Sequence, residues 1–173
     1  MRTLKPIRTG AFLIGALVLF SEASAGTPVD VCSLLTKAEI EAVQGEPVTH
    51  VKGSAGQCFY AVATFSKSVS LMLPRGDTAS PAAAGPREQW NEMFHPDRSR
   101  RAEPVGEVEQ ESREPMPVKD LGDEAFWRGN TITGGLYVLK NDIWFRISVG
   151  GSEDASVKIE KASRLARKAI PRL

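Results

Sequence analysis

Residues 121–151 read LGDEAFWRGNTITGGLYVLKNDIWFRISVGG, and this stretch decides the fold. In its second half two sets of side chains alternate along the chain: Ile143, Phe145, Ile147 and Val149 are separated by Trp144, Arg146 and Ser148. A period of two residues is typical of a strand with one buried face. Another apolar run, 135–139, precedes it, and Asn141 and Asp142, which tolerate positive φ, lie between the runs. The pattern predicts two long strands joined by a tight hairpin.

The second face of this hairpin carries Trp144 and Arg146. Because an arginine stem packs on apolar surface while its charge stays in water, we expect this face to lie under a helix. Upstream, 58–65 and 68–73 alternate in the same way and predict a second hairpin with Ser66 and Lys67 as its turn. A short strand at 47–51 is expected before it, and 121–127 is expected to lead into another short strand or turn.

Two helices complete the predicted fold. Thr36 and Glu39 have the spacing of a capping box, and Gly45 suits the left-handed position after the helix end. Residues 153–170 carry an apolar stripe at helical spacing, with Ser152 as the expected cap. We therefore predict the α+β class: a twisted antiparallel sheet of about five to seven strands, covered by an N-terminal and a C-terminal helix.

The N-terminus has the pattern of a secretory signal peptide. Basic residues come first, an apolar run spans 11–20, and Ala23-Ser24-Ala25 fits a cleavage site. The run is about half of the ~20 residues that a transmembrane helix needs. The expectations are a signal peptide at 1–25, a single α+β domain at 26–173, and export to the periplasm or outside the cell, with no stable membrane insertion after cleavage.

The chain has two cysteines, Cys32 and Cys58. In an exported protein such a pair favours a disulfide, worth about 3.6 kcal/mol in the chain-entropy model. A zinc site or a redox site is the alternative, but zinc requires four ligands, and a redox pair usually has Cys-x-x-Cys spacing. We therefore predict a disulfide and expect no metal and no cofactor.

Residues 74–117 are rich in proline and form a partly irregular insertion in the predicted domain. Within them Pro86 suits the first turn of a short helix, on which Trp90, Met93 and Phe94 share one face. Residues 105–113 predict a charged edge strand. The tripeptide Arg75-Gly76-Asp77 resembles an integrin-binding sequence, but three common residues meet by chance too easily to support that role.

The run Cys32-Ser33-Leu34-Leu35-Thr36, followed by Cys58-x-Tyr60, resembles a pattern of small exported bacterial domains of unknown function, many of them lipoproteins. The stretch Leu121–Phe126, followed by two strands and a last helix, recurs in them. The resemblance implies a fold and an export route, and no activity. This chain departs from the pattern because it lacks a cysteine placed for lipidation. The order of elements is also similar to Mog1/PsbP-like domains, in which a sheet lies between helices.

No catalytic set is evident in the sequence. His50 and His95 do not belong to any known catalytic motif, and the adjacent carboxylates Asp123 and Glu124 are more typical of a capped turn than of acid–base chemistry. The near-zero net charge of +1 argues against nucleic acid as a partner. The alternative is a hydrolase-type enzyme that uses an unrecognised carboxylate/His site.

We therefore expect a non-catalytic exported binding or accessory domain, whose partner is an unknown protein or small-molecule ligand. The insertion at 74–117 is the expected movable cover, near Trp127. The binding candidates are aromatic or arginine side chains: Trp90, Phe94, Trp127, Trp144 and Arg146.

Overall fold

The computed structural model describes residues 29–54, 56–74, 85–96, 114–129 and 133–173. Within these ranges seven strands form one sheet, in the order β1-β2-β3-β7-β6-β5-β4, and all neighbours are antiparallel. The strands are β1 (Val48–Ser54), β2 (Gln57–Val62), β3 (Val69–Met72), β4 (Met116–Pro117), β5 (Glu124–Gly129), β6 (Gly134–Lys140) and β7 (Ile143–Val149). The helices are α1 (Lys37–Gln44), α2 (Pro86–Phe94) and α3 (Ala155–Ala169). The predicted α+β class is confirmed.

Several predictions fall outside the described ranges: the signal peptide, the Arg75-Gly76-Asp77 tripeptide, the strand at 105–113 and most of the insertion at 74–117. No helix in the described part of the chain is both long enough and apolar enough to cross a bilayer.

The hairpin of β6 and β7 forms as its sequence predicts. Asn141 and Asp142 take φ values of 49° and 62°, the left-handed conformation that a tight hairpin turn requires. Asp123 closes the turn from outside: its Oδ2 accepts from the backbone N–H of Asn141 at 2.9 Å, and its Oδ1 accepts from Lys140 Nζ at 2.7 Å. This carboxylate therefore stabilises a turn, as the sequence analysis favoured.

The other predicted hairpin is shorter than expected. Strand β2 ends at Val62 and β3 begins at Val69, because a turn of 3-10 helix occupies Phe65–Lys67. The outer edge is longer than expected, since β1 continues to Ser54.

One face of the sheet lies under α1 and α3. The core there contains Ile40 from α1, Tyr60 and Phe145 from the sheet, and Leu165 from α3, each no more than 1% exposed. The Tyr60 hydroxyl is close to two carbonyl oxygens, Cys32 O at 3.1 Å and Leu35 O at 3.0 Å. The predicted disulfide between Cys32 and Cys58 is confirmed and ties the N-terminal segment to β2.

The helix ends show one confirmation and one correction. Thr36 and Glu39 form the predicted capping box of α1, and Gly45 has a φ of 72° after it. Helix α3 begins at Ala155 and is capped by Asp154, whose Oδ1 accepts from the N–H of Val157 at 3.0 Å. The predicted start at 153 with Ser152 as cap is wrong, because a carboxylate two residues later makes that hydrogen bond.

The opposite face lies partly under α2. Trp90 packs there with Leu139 and Trp144, and partly buried aromatic residues surround them. The expected helical cover over Trp144 is therefore α2. Phe59, Ser70 and Ser148 do not belong to this cluster and lie further along the same face, where the candidate site is found.

Candidate functional site

The structure buries the tryptophans that the sequence singles out. Trp90, Trp127 and Trp144 are 0%, 1% and 5% exposed, so none of them offers an open aromatic surface. Trp90, Phe94 and Trp144 belong to the cluster under α2, whereas Trp127 lies in the core on the other face of the sheet. The position expected for a cover, near Trp127, is therefore not where α2 lies. Of the five candidates, Arg146 is the one that lines the cavity described next, which is formed by residues of the described ranges.

The cavity follows from strand register. Phe59 on β2 is paired with Ser70 on β3, and Ser70 is paired with Ser148 on β7. Paired residues direct their side chains to the same face, so the two serines, smaller than their neighbours, leave a depression between bulkier rows. Its volume is about 280 Å³. The described lining residues are Phe59, Ser68, Ser70, Thr133, Gly134, Arg146, Ser148, Val149 and Gly150.

Arg146 lies across the sheet in a fixed position. Its guanidinium carbon is 5.6 Å from the centroid of the Tyr137 ring, within cation–π range. A Cβ added to Gly135 would lie against Arg146 Nε, 3.0 Å from its Cγ and 3.1 Å from Ser148 Oγ. The arginine stem therefore occupies space that only a glycine leaves free.

Three polar atoms of this cavity lack partners among the described residues. Arg146 Nε, Ser148 Oγ and Ser68 Oγ are buried without a hydrogen-bond partner there, and Ser68 as a whole is only 9% exposed. None of the six ion pairs among the described residues includes Arg146. Guanidinium groups only donate, and hydroxyls donate or accept. The arrangement is therefore suited to a ligand atom that accepts hydrogen bonds and carries negative charge.

The rim of the cavity is held from the far side of the sheet. Gly150 N donates to Ser68 O at 2.9 Å, which joins the end of β7 to the start of β3. Gln44, at the end of α1, donates through Nε2 to Gly150 O at 3.2 Å and also to Lys67 O. Lys161 of α3 donates to Gln44 Oε1 at 3.2 Å. Helices α1 and α3 therefore fix the position of the backbone around Ser68.

A carboxylate/His pair does exist, but at α2. Glu124 Oε2 is 2.8 Å from His95 Nε2 and accepts from Trp90 Nε1 at 2.7 Å. The hydrogen bond with His95, followed by that with Trp90, lowers the pKa of Glu124 from its usual value. A general acid requires a raised carboxyl pKa, so these contacts favour a clasp that holds α2. His50 lies on β1, and neither histidine lines the cavity around Arg146.

Sequence reasoning found Arg146 but missed Ser68, Ser70, Ser148 and Phe59. A signal was present for Phe59, Ser70 and Ser148, since each alternates with apolar residues and so occupies the second face of its strand. Ser68 precedes β3, and alternation gives no signal for it. The described residues contain no group of three or more side chains suited to hold a metal ion.

The resemblance to small exported bacterial domains stays a prediction. Comparisons of the chain with protein-family models, with curated proteins and with solved structures give no significant match.

Proposed function

We propose that this chain is a non-catalytic, exported binding domain that takes a small anionic ligand in the cavity around Arg146. One observation carries the proposal: among the described residues, Arg146 Nε and the adjacent Ser148 Oγ are buried without a hydrogen-bond partner, and the guanidinium forms no ion pair. A buried donor left unpaired costs about 1–3 kcal/mol, and more when it is charged. An anion bound to the guanidinium neutralises its charge, which offsets that cost.

The charge of the cavity supports the same conclusion. Arg146 is the one cationic side chain among the described lining residues, and none of those residues is acidic. The Tyr137 ring contacts the Arg146 guanidinium, and the arginine side chain fills the space over Gly135. Little side-chain freedom is therefore lost when a ligand binds. Preorganised donors around one charge are typical of a binding site for a small anion.

Binding is favoured over hydrolysis because the cavity lacks a base among its described residues. Ser68, Ser70 and Ser148 are nucleophiles only if a histidine or another base accepts the hydroxyl proton. The His95 ring lies instead against Glu124 and Phe126, beneath α2. Export is supported by the disulfide, since such bonds persist mainly in oxidising compartments.

The test is titration of the purified domain with acetate and with phosphate, followed by amide NMR shifts. Wild-type protein should respond at Ser68, Ser148 and Gly150, which surround the cavity. Arg146→Met removes the charge but keeps an apolar stem, and should weaken binding at least about tenfold, since a hydrogen bond to a charged group is worth ~1.5–3 kcal/mol.

The matched control is Arg164→Met, which removes the same charge from an exposed position on α3. It should bind like the wild type. Equal weakening by Arg146→Met and Arg164→Met would reduce the effect to net charge and refute the proposed site.

A further inference from the structure

We infer that the ligand is a small monocarboxylate with an aromatic group, whose carboxylate lies on Arg146 and whose ring lies on Phe59. The inference rests on the proposed function and adds the chemical class of the ligand. It comes from the contrast between the two ends of the cavity: a single cation with hydroxyls at one end, and an aromatic ring at the other.

The polar end accommodates one negative charge. Arg146 is the sole cation among the described lining residues, so a monoanion is neutralised and a dianion is not. The planar fork of a guanidinium matches the two oxygens of a carboxylate. Because Nε and the adjacent Ser148 Oγ are enclosed, the two Nη groups of Arg146 are the donors that a ligand can reach.

The apolar end begins two strands away. Phe59 is paired with Ser70 and Ser70 with Ser148, so two strand spacings, about 10 Å, separate Phe59 from Ser148, and the Arg146 guanidinium lies beyond Ser148, over Tyr137 of β6. Phe59 also contacts Phe65, at 5.8 Å between ring centroids, and Phe65 is 74% exposed. A ligand ring that lies over Ser70 can therefore pack against Phe59 at the 4.5–7 Å that aromatic pairs prefer.

The size of the cavity limits the ligand. At about 280 Å³ it lies just below the ~300–1,000 Å³ of sites that enclose drug-sized molecules. One ring joined to a carboxylate by a short linker spans the distance from Arg146 to Phe59. Anions with several charges, such as nucleotides, exceed the single positive charge among the described lining residues.

The experiment compares the affinities of phenylacetate, acetate, benzyl alcohol and phosphate for the wild-type domain, by calorimetry and amide NMR. Phenylacetate should bind at least about tenfold more tightly than acetate, because its ring adds apolar burial and an aromatic contact. Benzyl alcohol, which has the ring without the charge, should bind more weakly than phenylacetate. Phosphate should bind no more tightly than phenylacetate. Phe59→Leu should remove most of the gain of phenylacetate over acetate and leave acetate binding unchanged.

Equal affinities of phenylacetate and acetate, or a gain that survives in Phe59→Leu, would overturn the inference. If acetate and phosphate still depend on Arg146 in that case, the proposed anion site stands and only the ligand class falls. If no anion depends on Arg146, both fall together. Peptides ending in phenylalanine share the same chemistry; tighter binding of Ala-Ala-Phe than of phenylacetate would assign the site to a chain terminus and overturn the small-molecule ligand.

Discussion

Removal of the Trp90 side chain tests whether α2 is a fixed layer of the fold or a cover that opens. Trp90 is 0% exposed, and its ring centroid lies 4.4 Å from that of Phe94 and 5.8 Å from that of Phe126. Truncation of a buried tryptophan to alanine costs about 3–5 kcal/mol. The variant also loses the hydrogen bond to Glu124, at the lower end of the ~1.5–3 kcal/mol for charged partners because that side chain is 41% exposed.

We therefore expect Trp90→Ala to lower the free energy of unfolding by about 4.5–6.5 kcal/mol, a large share of the 5–15 kcal/mol of a typical domain. The measurement is urea denaturation followed by far-UV circular dichroism, which does not depend on tryptophan emission. Phe65→Ala is the control, since an aromatic ring that is 74% exposed should contribute within about 0.5 kcal/mol. A loss below about 1 kcal/mol, with hydrogen exchange in β7 unchanged, would show that α2 detaches separately and would refute the reasoning.

Two further predictions concern the N-terminal segment. Replacement of Cys32 and Cys58 by serine should lower the free energy of unfolding by about 3.5 kcal/mol, given their sequence separation of 26, and an unchanged urea midpoint would contradict this. The hydrogen bond from Arg172 lowers the pKa of Glu39 from 4.5 to about 2. Because the folded pKa lies below the unfolded one, this stabilisation is complete above pH 4.5 and is lost as the pH falls toward 2. Arg172→Met should raise the pKa of Glu39 in an NMR titration and reduce the change of the free energy of unfolding with pH over this range. An unchanged Glu39 pKa would show that the ion pair does not cause the shift.

Local patterns predicted most of the individual elements. The β6–β7 hairpin follows from alternation on both sides of Asn141 and Asp142, and the start of α1 follows from Thr36 and Glu39, because each signal lies within a few residues of its effect. Boundaries were less predictable. Asp154 and Ser152 are both good caps, and the sequence pattern alone does not decide which of them begins the helix; Asp154 does.

The candidate site could not be predicted in the same way, because it depends on strand order. Ser70 and Ser148 meet only because β3 pairs with β7, and no local signal specifies the pairing of strands so distant in the chain. The burial of Trp90 and Trp127 on opposite faces was equally hidden, since alternation shows that a strand has two faces but not which helix covers each one. Arg146 was identified by its chemistry, and its isolation from carboxylates became visible only in three dimensions.

The pairing of β3 with β7 also sets how the chain folds. Within the described sheet it is the one contact between strands that do not follow each other in the chain, and it joins Val69 to Val149. Nearby segments close with little loss of entropy, whereas distant ones must search far longer, so we expect β1–β3 and β4–β7 to form as separate kinetic units before they combine. The cavity contains residues of both units, and we expect it to form in the last step. A ligand bound there should therefore lower the unfolding rate more than it raises the folding rate.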